Sequence, residues 1–322
     1  MAADGKTGET VIKTAGVIKQ KTLKTAIGCT GIALHSGRTV KLNLVPAEPD
    51  TGIRIRRTDL VNGASEILVR WDKVVDTRLA TTVGNDYGTR VSTIEHLMSA
   101  LSGCEIDNLV IEVDGPEIPV MDGSAAPFVF LVECAGVVEQ DAARKAIKVL
   151  KPVKVGDERR SVTVLPAADF SLDFEIDFDS AAIARQEYSF QNFAGDFKAE
   201  IARARTFGFE QEVDALRNAG LALGGSLDNA VVVSGSRILN DGGLRYQDEF
   251  VRHKILDCIG DLYLAGAPII GAVHACRSGH ETNNTLLRAL FADDSAWTLV
   301  DARPAGRIEA GEYEPAMGGI VA

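Results

Sequence analysis

Residues 247–264, QDEFVRHKILDCIGDLYL, constrain the fold of this chain more than any other stretch. They read as one long helix, with Phe250, Ile255, Ile259 and Leu262 spreading apolar surface over several of its directions. At ~100° per residue with His253 as origin, Asp257 falls near ~40°, Asp261 near ~80° and Lys254 near ~100°. Four ionisable groups thus share one narrow arc. His and Asp four residues apart stack one turn above the other, a spacing that suits two ligands of one metal ion. The same arc also suits a solvated stripe of Lys and Asp pairs, and the helix alone does not separate the two readings.

The rest of the chain alternates short strands with helices. Residues 39–45 have the two-residue period of a half-buried strand; 92–101 reads as a helix, 108–113 as a strand and 124–138 as an apolar helix. Strands are expected again at 147–155, 161–165, 171–178, 229–233 and 268–275, and a last helix from about 282 to 291. The polar, aperiodic stretch Gln140–Lys145 is the expected boundary between two domains of similar sheet-and-helix plan. No residue-level repeat links the halves.

A net charge of −11 disfavours nucleic acid and anionic membrane faces as partners, so an anionic substrate requires a local basic pocket. The five cysteines (Cys29, Cys104, Cys134, Cys258, Cys276) form no CxxC pair and are odd in number, which argues against a disulfide framework or a Cys-rich zinc site. The N-terminus lacks the apolar run of a signal peptide, and the most apolar stretch, 262–275, is interrupted by Gly266, Pro268 and Gly271. A cytoplasmic protein without a transmembrane segment is expected, and a monomer.

Two further histidines carry candidate chemistry. His96 follows Glu95 at the start of a helix, where it suits a metal ligand with Glu95 beside it as base; yet Ser92-Thr-Ile-Glu95 also matches a capping box that would occupy Glu95. His280, in the polar loop Ser278-Gly-His-Glu-Thr-Asn-Asn284, reads either as a general acid on a loop or as a bystander of a helix cap. His35 lies in a Gly-flanked turn that can face a ligand, and His274 sits in an apolar strand pattern and reads as structural.

Taken together, the motifs resemble one family. Leu34-His-Ser-Gly37, Val75-Asp-Thr-Arg-Leu-Ala-Thr-Thr82, Thr93-Ile-Glu-His-Leu-Met98, Pro119-Val-Met-Asp-Gly-Ser124, Ala204-Arg-Thr-Phe207, Gly224-Gly-Ser-Leu-Asp-Asn229, His253-Lys-Ile-Leu-Asp257 with Gly260-Asp-Leu262, and Gly279-His-Glu-Thr-Asn-Asn284 occur in the order found in the UDP-3-O-acyl-N-acetylglucosamine deacetylases. These are zinc enzymes that commit bacteria to lipid A synthesis. The match runs from about residue 20 nearly to the C-terminus, and Glu281-Thr282, within the His280 loop, is a position where the family is expected to vary.

The resemblance implies an α+β fold of two two-layer sandwich domains, each with a small insert. An N-terminal extension is expected over 1–19, a first domain over 20–141 with its insert near 58–78, and a second over 142–322 with its insert near 203–225. It implies one catalytic Zn2+ held by His96, His253 and Asp257. Glu95 would act as general base and His280 as general acid, with Asp261 orienting and charging His280. Thr206 and Lys254 would stabilise the developing oxyanion. The substrate implied is UDP-3-O-(3-hydroxyacyl)-N-acetylglucosamine, its acyl chain passing along an insert that carries Phe207, Phe209, Leu216, Leu221 and Leu223. Arg237, Arg245, Lys198, Arg203 and Arg205 are available cations that sequence does not assign. The alternatives are an amidase acting on another N-acetylated sugar, a UDP-sugar sensor without turnover, and an α/β protein with structural histidines.

Overall fold

Alternating sequence becomes alternating burial in two five-stranded sheets. The computed structural model describes residues 16–60, 64–191 and 196–303, so most of the expected extension over 1–19 lies outside the described residues. In the first sheet Thr39–Pro46 points Val40, Leu42 and Leu44 inward. Its strands lie in the spatial order Ile27–Ile32, Thr39–Pro46, Leu109–Val113, Ile53–Arg57, Glu66–Leu68. The second sheet runs Val153–Gly156, Ser161–Leu165, Ala272–Cys276, Ser171–Asp177, Arg185–Gln191.

The two sheets share one topology. In each, a late strand enters between two antiparallel hairpins, antiparallel to the first and parallel to the second. The late strand of the first sheet, Leu109–Val113, is preceded by α1 (Glu95–Gly103) and followed by α2 (Ala126–Ala135). After an excursion that carries α3 (Glu210–Asn218), the second half repeats this with α4 (Glu249–Tyr263) before its late strand and α5 (His280–Ala292) after it. Helix α2 packs on the first sheet, α4 and α5 on the second, and α1 lies against both α2 and α4. The result is an α+β sandwich with helices inside and one continuous apolar core. Phe128, Phe190 and Phe250 are fully buried in it, each contributing roughly 1.5–3 kcal/mol by burial.

Each half carries an excursion at the equivalent place, between its second hairpin and its first helix. In the first it is a three-stranded sheet of Val74–Asp76, Thr82–Gly84 and Arg90–Val91; in the second, a sheet of Phe207–Phe209, Val231–Ser234 and Arg237–Ile238. No helix among the described residues is long and apolar enough to cross a membrane.

Some expected elements are redrawn. The aperiodic stretch at 140–145 is extended: Val137–Ala143 pairs with Lys19–Leu23, and Lys145–Val149 pairs with Trp297–Asp301. The first of these strands buries no residue fully, so it carries no apolar alternation for sequence to reveal. The strand expected over 147–155 is two, split around Pro152 and lying in different sheets, as befits a residue without a donor. The capping box does not form: the Ser92 N–H bonds Pro116 O, while Glu95 Oε2 accepts the Thr81 N–H at 3.0 Å. His280 is the first residue of α5 rather than a loop residue.

Candidate active site

Helices α1 and α4 meet at Gly260. A Cβ there would stand 2.1 Å from the carbonyl oxygen of Glu95, so only glycine lets the two backbones approach this closely. That contact brings Glu95 and His96 on α1 to the polar arc of α4.

Ligand-capable atoms of His96, His253 and Asp257 all lie within 4.8 Å of one another, and all three residues are buried. Asp257 Oδ1 is 3.5 Å from His96 Nε2 and 3.3 Å from His253 Nε2. The Nδ1–H of His253 donates to Ala204 O at 3.1 Å, which leaves the Nε2 lone pair facing the cluster. Lys254 Nζ donates to Asp257 Oδ2 at 2.9 Å, whereas buried Oδ1 has no hydrogen-bond partner among the described residues. Burial lowers the His253 pKa to about 4, so its imidazole is neutral. Burial opposes ionisation of Asp257, yet His253 and Lys254 hold its carboxyl well below the usual range. A neutral imidazole and a carboxylate are the protonation states a metal requires. A buried carboxylate oxygen without a donor, facing imidazole nitrogens, is a costly arrangement that a divalent cation completes, so the residues fit a metal ion.

Beside this cluster stand a carboxylate and an imidazole. Glu95 Oε1 is 3.9 Å from His280 Nε2, and burial pushes the Glu95 pKa up. On its other side, His280 Nδ1 donates to Asp261 Oδ2 at 2.8 Å. Burial lowers the affinity of His280 for a proton, but the Asp261 partner outweighs it and raises the pKa to about 9. Asp261 is itself fixed by Thr81 Oγ1 at 2.6 Å and by Asn283 Nδ2 at 2.8 Å. Sequence reading singled out neither Thr81 nor Asn283, although both fall inside motifs already marked; short polar side chains carry no periodic signal of such a role.

Glu95, His96, His253, Asp257 and His280 line a cleft of about 400 Å³ together with Thr206, Phe207, Lys254 and Arg277. The structure therefore brings together Glu95, His96, Thr206, His253, Lys254, Asp257 and His280, with Asp261 one hydrogen bond behind. The cleft is continuous with a basin of about 610 Å³ that shares Arg160, Phe178, Lys254, Arg277 and Ser278 with it. Arg160 and Arg277, the latter paired with Asp177, are thus arginines that line the cleft, and neither stood among the cations sequence offered. Of those, Arg205 pairs with Glu249, Arg245 with Asp122 and Lys198 with Glu133.

His35 contributes backbone rather than its ring. The Leu34 and His35 carbonyls accept the N–H groups of Gly224 (2.9 Å) and Leu223 (3.1 Å), docking the second excursion onto the first half. Both ring nitrogens are buried without a hydrogen-bond partner among the described residues. His274 lies on the open face of the second sheet, where Nδ1 meets Asp173 at 3.0 Å, so it is not a core histidine.

Comparison with known proteins gives one answer. The sequence profile of the UDP-3-O-acyl N-acetylglycosamine deacetylases matches residues 20–292. A UDP-3-O-acyl-N-acetylglucosamine deacetylase of Acidithiobacillus ferrooxidans is 51% identical over 292 residues, covering 88% of this chain and 94% of the relative. Those of Haemophilus influenzae (50% over 303 residues; 94% and 99% covered) and Idiomarina loihiensis (52% over 286 residues; 88% and 93% covered) are similarly close. Sequence similarity along nine-tenths of its length places the chain in a single family: it belongs to the UDP-3-O-acyl N-acetylglycosamine deacetylases.

Proposed function

We propose that this chain is a zinc-dependent deacetylase that hydrolyses the 2-acetamido group of UDP-3-O-(3-hydroxyacyl)-N-acetylglucosamine, releasing acetate and the free amine. The observation that carries the reading is the buried His96–His253–Asp257 cluster flanked by Glu95 and His280, in a chain about half identical to deacetylases of that name. His96, His253 and Asp257 would hold the ion, and two histidines with one carboxylate are a donor set of catalytic rather than structural zinc sites. The ion, when bound, supplies the Lewis acidity that polarises an amide carbonyl and acidifies water.

The remaining roles fall to side chains. Glu95, with its raised pKa, is suited to take a proton from the attacking water. His280, held as imidazolium by Asp261, is suited to return a proton to the departing amine. Lys254 keeps its charge against burial through Asp257, and with the Thr206 hydroxyl, which also lines the cleft, it is suited to stabilise negative charge developing on a carbonyl oxygen. Arg160 and Arg277, at the junction of cleft and basin, are suited to a diphosphate.

Helix α3 buries no residue fully, and Phe207, Phe209, Leu216 and Leu221 are half-buried while Leu223 is exposed. That supports an acyl passage over the packed interior of a helix. The same reading places domain 20–141 against domain 142–322 across the metal, in a monomeric cytoplasmic enzyme at the committed step of lipid A synthesis. Acetate release from the acylated UDP-sugar, measured on native, chelator-stripped and zinc-restored protein, tests it. Activity should vanish on stripping and return with zinc. No acetate from folded, zinc-loaded protein would sink the assignment.

A further inference from the structure

Glu249 stands four residues before His253, one turn earlier on the same side of α4. Its fully buried carboxylate takes four donors. Oε1 accepts the backbone N–H of Arg205 at 3.0 Å and Arg205 Nε–H at 2.8 Å; Oε2 accepts Arg205 Nη2–H at 3.1 Å and the backbone N–H of Arg245 at 2.6 Å. The Arg205 N–H belongs to the peptide unit whose carbonyl, Ala204 O, accepts the His253 Nδ1–H. Two side chains one turn apart thus hold the two ends of a single planar peptide, and rotating that peptide breaks both bonds at once. The next residue, Thr206, faces the cleft, with its N–H on Gly123 O and its carbonyl on the Val231 N–H, both at 2.8 Å.

We infer that Glu249 is a positioning residue of the reaction: through the Ala204–Arg205 peptide it fixes the orientation and tautomer of His253 and the placement of Thr206. This rests on the reading of His253 as a metal ligand. Only a carboxylate fits the site. Glutamine keeps the shape but offers one acceptor oxygen and turns an NH2 group toward two N–H donors, so the peptide loses an anchor it can replace only by shifting. Arg205 in turn supplies the buried countercharge that lets the carboxylate sit beneath the cleft.

The test compares full-length wild type, Glu249→Gln and Tyr263→Phe. The last removes a buried hydrogen bond to Ile106 O at the far end of α4 and serves as a control for general destabilisation. Zn2+ affinity is measured by chelator competition, and the His253 tautomer by 15N NMR of histidine-labelled protein. Wild type and Tyr263→Phe should share one affinity, while Glu249→Gln loses about 10–100-fold, the usual cost of removing support behind a ligand, together with the slowly exchanging Nδ1–H. A folded Glu249→Gln with wild-type affinity and an intact Nδ1–H overturns the inference. Wild type that holds no zinc defeats the metal reading instead, which keeps the two failures apart. Should Glu249→Gln not fold, hydrogen exchange on wild type decides. A common opening rate for the Arg205 amide and His253 Nδ1–H supports the bracket, and a freely exchanging Arg205 amide refutes it.

Discussion

At the residue scale the site depends on two carboxylates given opposite tasks by their surroundings. Glu95 is buried beside the candidate metal cluster, and burial raises its proton affinity against the opposing pull of His280 and the Thr81 N–H. Asp261 accepts from Thr81, Asn283 and His280, and in the proposed reaction it would act through His280 rather than on a substrate. Glu95→Gln should lower kcat by about 10²–10⁴-fold while leaving substrate affinity nearly unchanged, since it removes a proton acceptor and little volume. Steady-state kinetics decide this, and a loss confined to KM would count against the assigned role. The sign of the second effect follows from His280. A pKa raised to about 9 keeps the imidazolium present below that value and loses it as pH climbs through it, so activity should fall on the basic side there. Asp261→Asn removes the charge that raises it, and the basic limb of the pH–rate profile should move toward lower pH. A limb that stays in place would mean another group sets it.

At the scale of elements, the site is a contact between two helices, and the contact depends on one missing methyl. Replacing Gly260 by alanine gains up to ~1 kcal/mol of helix propensity. The new Cβ, however, would sit 2.1 Å from the Glu95 carbonyl oxygen, and overpacking of this kind costs roughly 1–3 kcal/mol. Gly260→Ala should therefore melt at lower temperature than wild type and bind zinc more weakly, because the clash displaces the turn that carries Glu95 and His96. An unchanged melting temperature would show that α1 yields without cost. The same contact explains what sequence reading reached. His253, Lys254, Asp257 and Asp261 were legible as one arc because helical periodicity is local. That His96 completes the arc depends on a crossing between two helices far apart in the chain, which periodicity cannot carry; only the ordered motifs of the family supplied it. The cleft arginines were missed for a related reason. Arg160 lies just before a strand of the second sheet and Arg277 just after another, and only the pairing of those strands makes them neighbours.

At the scale of the whole molecule, the chain builds one topology twice and places its candidate metal cluster where the equivalent helices meet: α1 precedes the late strand of the first sheet, and α4 that of the second. One ligand comes from the first and two from the second, so an ion at the cluster ties the halves together. It is not the only tie. Leu97, Leu101, Ile255 and Ile259 belong to one core that runs through both helices, so the fold stands on apolar contact without the metal. These facts predict two outcomes of chelation together. Stripped protein should keep its helical circular dichroism at room temperature, yet melt earlier. Saturating zinc adds about 4 kcal/mol when its free concentration reaches ~1,000 times Kd, provided the unfolded chain binds it poorly. His96→Ala should remove most of that zinc-dependent gain while leaving the melting of stripped protein close to wild type, because it deletes a ligand and little core. Melting curves with and without zinc on both proteins decide the matter. A stripped protein that unfolds outright would make the ion structural, and a melting temperature indifferent to zinc would mean that the cluster does not bridge the halves.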